Sequence, residues 1–237
     1  NKPGDLWTVF EFNNSSGVTR IRTVGSELSS ANVDSHGSSV TDGIVLMGGT
    51  IQSTTGLSLT GEVTTLAGPA EGSSAFGDND STTASNARFK NPYGMTTDGT
   101  NLYVSEYGNH KIRKIVISTG VVTTLAGPAE GSTAYGDNDS TTASNARFYS
   151  PYGITTDGTN LYVVDYRNNK IRKVVIDNGT VTTYAGPAEG SRESGDNDST
   201  TASNARFGGP VGITSDGTNF YVSEYGNHKI RKIVIST

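Results

Sequence analysis

The chain has 237 residues, a formal net charge of −5 and no cysteine, which excludes disulfides, thiolate metal sites and cysteine nucleophiles and disfavours a polyanionic partner. Its 30 glycines follow no every-third-residue period, so they mark turns rather than a collagen strand. No apolar run reaches the roughly 20 residues needed to span a bilayer, and the chain opens at Asn1 without an initiator Met, a basic n-region or an apolar stretch, so any export signal is expected to lie outside it.

In chain order, LWTVFEF (Leu6–Phe12), a turn at Ser15-Ser16-Gly17 and VTRIRTVG (Val18–Gly25) read as the last two strands of a blade. Trp7, the lone tryptophan, is expected to be a packing anchor. Thr41-Asp42-Gly43, then IVLMGG, then EVTTLAG (Glu62–Gly68) reads as a decayed copy of a unit that recurs downstream. That unit announces itself in GDNDSTTASNARF, which begins at Gly77, Gly136 and Gly195, always 59 residues apart. Pro92, Pro151 and Pro210 keep the spacing, as do Tyr103, Tyr162 and Tyr221. A fixed repeat sets the architecture before any local reading does.

The unit at Pro151 shows the expected strands. GITTD (Gly153–Asp157) ends at an Asp-Gly turn, and LYVVD (Leu161–Asp165) follows; next come KIRKVVI (Lys170–Ile176), an Asp177-Asn178-Gly179 turn and TVTTYAG (Thr180–Gly186). These are β-branched and aromatic runs divided by turn residues. Four short strands with tight connections form one antiparallel sheet, the blade of a β-propeller. Pro187 to Gly209 is a long loop to the next blade.

The order P-x-G-I-x-x-D-G-x-N-L-Y-V-x-[DE]-x-x-N-[HN]-K-I-R-K-[IV], followed by V-T-T-[LY]-A-G, resembles the NHL repeat over Pro92–Ile115, Pro151–Val174 and Pro210–Ile233. The resemblance implies an all-β propeller of four-stranded antiparallel blades, here one domain over residues 1–237. It comprises closing or exchanged strands (1–25), a degenerate blade (36–68), two full blades (92–127 and 151–186) and an incomplete blade (210–237). Three arrangements of the ends stay open. Val18–Gly25 completes the last blade and closes four blades; the chain is part of a larger propeller, six blades being usual in the family; or Leu6–Gly25 pairs with the edge of another subunit.

Candidate chemistry centres on Gly-Asp-Asn-Asp-Ser, which supplies Asp78 and Asp80, Asp137 and Asp139, and Asp196 and Asp198. Carboxylates two residues apart beside hydroxyl and amide oxygens suit Ca²⁺, although the Gly and Glu expected later in an EF-hand loop are absent. The same residues also suit Asx-turns that hold the loop. Downstream, Ser85, Ser144 and Ser203, or a neighbouring Thr, are expected to cap a short helical turn. Phe89, Phe148 and Phe207 are expected to anchor the loop, and Arg88, Arg147 and Arg206 to pair with carboxylates.

The strand HKIRK, with Lys111, Arg113 and Lys114, reads as a solvated face with Glu106, Asp165 or Glu224 as partners. Some NHL propellers bind RNA through a basic face, but the acidic balance and the lack of interleaved aromatics disfavour nucleic acid here. NHL-like lyases and hydrolases gather His, Glu, Asn and Asp around a metal at the channel mouth. This chain has only His36, His110 and His228, and its near-identical units disfavour one asymmetric site. N-x-[ST] strings at Asn13, Asn14, Asn79, Asn138, Asn178 and Asn197 are glycan acceptors only in a host that glycosylates. The expectation is therefore an extracellular or cell-surface propeller, not an enzyme, that binds protein partners or copies of itself. A metal-dependent lyase or hydrolase, or a carbohydrate- or RNA-binding module, is the alternative.

Overall fold

The blade pattern is realised in strands of five or six residues. The structure, a computed structural model, describes residues 7–14, 17–24, 45–46, 49–50 and 63–235. The chain divides into two compact units, Asn1–Val63 and Thr64–Thr237. In the first, β1 (Trp7–Asn14) and β2 (Gly17–Val24) form an antiparallel hairpin that pairs Trp7 with Val24 and Asn14 with Gly17. β3 (Val45–Leu46) and β4 (Gly49–Thr50) form a second, minimal pair. The rest of the expected degenerate blade up to residue 62, and the Trp7 side chain, lie outside the described residues. Residues 63–68, expected as the end of its last strand, are irregular up to residue 65 and bend from 66 on, with no ladder partner among the described residues.

The second unit carries three consecutive blades. The first is β5 (Pro92–Thr97), β6 (Asn101–Glu106), β7 (Lys111–Val116) and β8 (Val122–Ala126). The second is β9 (Pro151–Thr156), β10 (Asn160–Asp165), β11 (Lys170–Val175) and β12 (Val181–Ala185). The third has β13 (Pro210–Ser215), β14 (Asn219–Glu224) and β15 (Lys229–Val234). Each sheet is an antiparallel meander in chain order. No helix among the described residues is long and apolar enough to cross a membrane.

The sheets stack face to face, so both faces of a strand are buried and its apolar pattern is near-continuous. Tyr103, Ile112 and Ala126 of the first blade meet Ile154, Leu161, Val163 and Val174 of the second, with Phe148 and Ala146 between them. Tyr162, Val164 and Ile171 meet Phe220 and Val222 in the same way, with Phe207 between. The first strands of successive blades, β5, β9 and β13, lie side by side. They approach so closely that a Cβ at Gly94 would strike the Tyr152 carbonyl oxygen, and one at Gly153 the carbonyl of Val211. A side chain at either glycine would force these strands apart.

Each Asp-Gly-Thr-Asn turn is held by its own aspartate. Asp98 Oδ1 accepts from Thr100 N and Asn101 N at 2.8 and 2.7 Å, and Oδ2 accepts from the Tyr103 hydroxyl at 2.7 Å. Burial pushes the Asp98 carboxyl up, but the hydrogen bonds from Asn101, Tyr103 and Thr100 outweigh it and hold it well below the usual carboxylate range. This is the Asx-turn expected at the Gly-Asp-Asn-Asp-Ser loops, located instead in the first hairpin of each blade.

Candidate functional site

The long loop folds back over the blade that follows it. Residues Asn79 and Arg88 bridge each other, and Ser81 bridges Val122 on the outer edge of β8, as Ser140 bridges Val181 on β12. This contact covers an edge strand that would otherwise present unpaired backbone groups. It also sets the loop aspartates directly over the basic strand.

The result is a repeated polar girder. Lys111 Nζ donates to Asp78 Oδ2 at 2.5 Å. Arg113 donates to Glu106 Oε2 at 2.9 Å, Asp80 Oδ1 at 2.7 Å, Asn79 O at 2.8 Å and Arg88 O at 3.1 Å. Asp80 Oδ2 accepts from Thr124 N at 2.9 Å, which ties the loop to the last strand. The second blade repeats this with Lys170 on Asp137 at 2.6 Å and Arg172 on Asp165 at 2.9 Å and Asp139 at 2.6 Å. In the third, Lys229 holds Asp196, and Arg231 holds Glu224 at 3.0 Å and Asp198 at 2.6 Å.

Three expectations change at this point. The basic strand is not a solvated face: Lys111, Arg113, Lys170 and Arg172 are fully buried because the loop carboxylates lie over them. The six candidate calcium ligands are engaged by the protein's own cations: the first aspartate of each pair faces both the lysine and the arginine of the strand, and the second faces the arginine. Among the described residues no group of three or more His, Asp or Glu side chains could hold a metal. Arg88 and Arg147 pair with no carboxylate among the described residues; each donates to two backbone carbonyls at the end of a 3-10 turn, Ala84–Asn86 or Ala143–Asn145. Arg206 does the same and also pairs with Glu193 at 3.0 Å. No side chain caps these turns; instead, Ser81 Oγ accepts from Thr83 N at 3.0 Å just ahead of the first.

Phe148 and Phe207 are anchors as expected, each under a guanidinium, with Arg172 5.4 Å above the Phe148 ring. Glu106 and Asp165, expected as partners of the basic strand, are so, and both are fully buried. Burial pushes the Asp165 carboxyl up to about 6 even though Arg172, Asn168 and the Tyr149 amide hydrogen-bond it.

The blade end where strand one begins and strand two finishes carries a second set of groups. Pro92 pairs with Glu106 and Pro151 with Asp165, so Tyr93, Tyr107, Tyr152 and Tyr166 lie together at this end. Ring centroids are 4.4 Å apart for Tyr93–Tyr152, 5.3 Å for Tyr107–Tyr152 and 5.0 Å for Tyr152–Tyr166. Beside them Tyr135 stacks on Tyr149 at 4.3 Å and 21°, and Arg192 and Arg167 lie 5.0 and 5.5 Å over the Tyr149 ring. A hydrogen bond from Arg167, with another from Ser150, lowers the Tyr107 phenol from its usual value. None of these tyrosines was singled out from sequence, because they are spread over four loops and strand ends.

The same end links the blades. His110, in a left-handed backbone conformation at φ 56°, accepts from Ser150 N at its Nδ1 over 3.0 Å. Its counterpart Asn169, at φ 52°, accepts from Gly209 N at Oδ1 over 3.2 Å. The exchange of His for Asn between repeats therefore preserves one acceptor atom.

No protein-family model matches the chain. Over 114 residues, 46 % of the chain, it is 35 % identical to NHL repeat-containing protein 2 of Bos taurus. The resemblance to NHL-repeat proteins thus extends over about half of the chain. The chain spans 15 % of that relative's length. Its fold is similar to a structural genomics protein of unknown function from Bacteroides thetaiotaomicron, with 26 % identity and a TM-score of 0.53 over 61 % of the chain and 35 % of that protein. It is also similar to an auxiliary nutrient binding protein from Bacteroides ovatus, with 24 % identity and a TM-score of 0.51 over 64 % of the chain and 39 % of that protein. The chain is thus an all-β propeller protein of four-stranded antiparallel blades.

Proposed function

We propose that this NHL-repeat chain is a binding module, extracellular or cell-surface, that engages protein partners, among them further copies of itself, and is not a catalyst. The observation that supports this is the girder. Every buried lysine, arginine, aspartate and glutamate among the described residues belongs to it, which engages them in holding loops to blades. Groups fixed in buried ion pairs are poor general acids or bases, because proton transfer would break the pair.

Support for self-association comes from the face of the third blade. Ile230 is 71 % exposed, whereas its counterparts Ile112 and Ile171 are fully buried against a neighbouring sheet. β15 also has one edge unpaired among the described residues, and β2 is a run rich in β-branched residues of the kind that adds to an open edge. Support for export is compositional: a cysteine-free chain rich in Ser, Thr, Asn and Gly.

The test is native mass by light scattering across a concentration series. The full chain, a variant lacking residues 1–25 and an Ile230→Lys variant are compared. Self-association that grows with concentration and is suppressed by both changes supports the reading. A monomer at every concentration removes self-assembly from it and leaves other protein partners to be sought by cross-linking.

A further inference from the structure

The three repeats are near-identical, yet their strongest exchanges gather at one end of the blades. Phe76, Tyr135 and Ser194 occupy one repeat position, and Ser74, Thr133 and Arg192 another. Lys90, Tyr149 and Gly208 share a third, and Gly108, Arg167 and Gly226 a fourth. Along the strands the exchanges mostly keep size and polarity, as in Met95, Ile154 and Ile213 or Leu102, Leu161 and Phe220. The fold does not require the end groups to differ, since each blade forms with its own version. What does require different groups from successive copies is a single asymmetric surface.

The structure brings the divergent residues together. Tyr135, Tyr149, Arg167 and Arg192 are the stacked group described above, and Tyr93, Tyr107 and Tyr152 adjoin it through Arg167 and Ser150. Tyr93 and Tyr135 are 56 % and 55 % exposed, so aromatic faces remain open to a ligand. Arg167 and Arg192 are exposed as well, while the acids Glu106 and Asp165 at this end are fully buried and already bonded. In the flanking loop Glu193 is held by Arg206, and Glu189 accepts from the Asp139 amide. The open surface is therefore aromatic and cationic within an acidic protein.

We propose that this end binds an acidic oligosaccharide. Pyranose rings present a flat C–H face that packs on tyrosine, and tyrosine hydroxyls bond sugar hydroxyls. A uronate carboxylate matches a guanidinium fork, and two arginines converge here. Single-stranded nucleic acid fits less well. The Tyr107–Tyr152 and Tyr152–Tyr166 pairs meet edge-on at 75° and 68°, which leaves no parallel slot for a base between them.

The test is calorimetric titration of the full chain with a short oligogalacturonate, a neutral malto-oligosaccharide of equal length and a single-stranded RNA of equal length. The variants Arg192→Thr, Tyr135→Ser and Arg167→Gly each install the residue that another repeat carries at that position, so a folded protein is expected, as circular dichroism will verify. Asn178→Thr, installed on the same principle in the turn at the opposite end of the second blade, is the control. The acidic sugar is expected to bind, with each of the three variants weakening it about tenfold and the control leaving it unchanged. The proposal is overturned if no sugar binds, if the neutral sugar binds equally, if RNA binds more tightly, or if folded variants bind like the parent. Each of these results is independent of the light-scattering outcome, because self-association through the third blade involves none of these side chains.

Discussion

Replacing His110 tests how the blades are joined. Ser150 is 2 % exposed, and its N–H has the His110 Nδ1 as acceptor at 3.0 Å. Acceptance at Nδ1 requires a neutral ring with its proton on Nε2. His110→Ala leaves the amide buried and unpaired and is expected to cost about 1–3 kcal/mol. His110→Asn reproduces the native Asn169–Gly209 junction and is expected to stay within about 0.5 kcal/mol of the parent at pH 7.5.

The pH dependence separates these variants further. Burial, with Lys90 and Arg167 nearby, lowers the His110 pKa from its ordinary value of 6.5. The unfolded chain therefore takes up this proton first, so the contribution of His110 is fully present above pH 6.5 and is lost as pH falls through the folded value. The slope approaches about 1.4 kcal/mol per pH unit within that window. Urea denaturation followed by circular dichroism from pH 8 to pH 5 measures it. The difference between parent and His110→Asn isolates this one group, since the two proteins differ nowhere else. A parent and an Asn variant with parallel pH profiles, or an Ala variant as stable as the parent at pH 7.5, would refute the reasoning.

Three further outcomes follow from the girder and the close strands. Arg172→Met leaves Asp165 buried without its cation, while Asp137 keeps Lys170, and is expected to cost about 3–5 kcal/mol in urea denaturation. Calcium at about 1 mM, within the range that saturates weak extracellular modules, is expected to leave the melting temperature unmoved, as is EDTA. A calcium-dependent rise in melting temperature would mean that the ion displaces Lys111 and Arg113 from Asp78 and Asp80. Gly153→Ala drives a Cβ into the Val211 carbonyl and Gly212 and is expected to cost about 1–3 kcal/mol by separating β9 from β13; thermal melts against the parent check it.

Much of the blade was legible because its information is local. LYVVD and KIRKVV are short runs rich in β-branched residues set between Asp-Gly and Asn-Gly turns, and a 59-residue spacing repeats them, so β10, β11 and β12 lie within two residues of their expected bounds. The loop carboxylates were visible as a motif, but their partners were not. Asp78 and Lys111 are 33 residues apart and meet only because the loop folds back over the following blade. One signal was present: Asp-Asn-Asp and Lys-Ile-Arg recur in every unit at constant separation, as complementary charges that share a buried site must.

From the sequence alone come the repeat, the strand order within a blade and the propeller class, because turn chemistry and alternation act over a few residues. The tertiary structure alone decided that the basic strand is buried rather than solvated, that the aspartates hold arginine and lysine, and that His110 and Asn169 serve one purpose. It alone gathered tyrosines and arginines from four loops onto one blade end. Asp78 and Lys111 lie 33 residues apart and His110 and Ser150 lie 40 apart; loops folding back and sheets stacking face to face bring them together, and no pattern of neighbours along the chain encodes them singly.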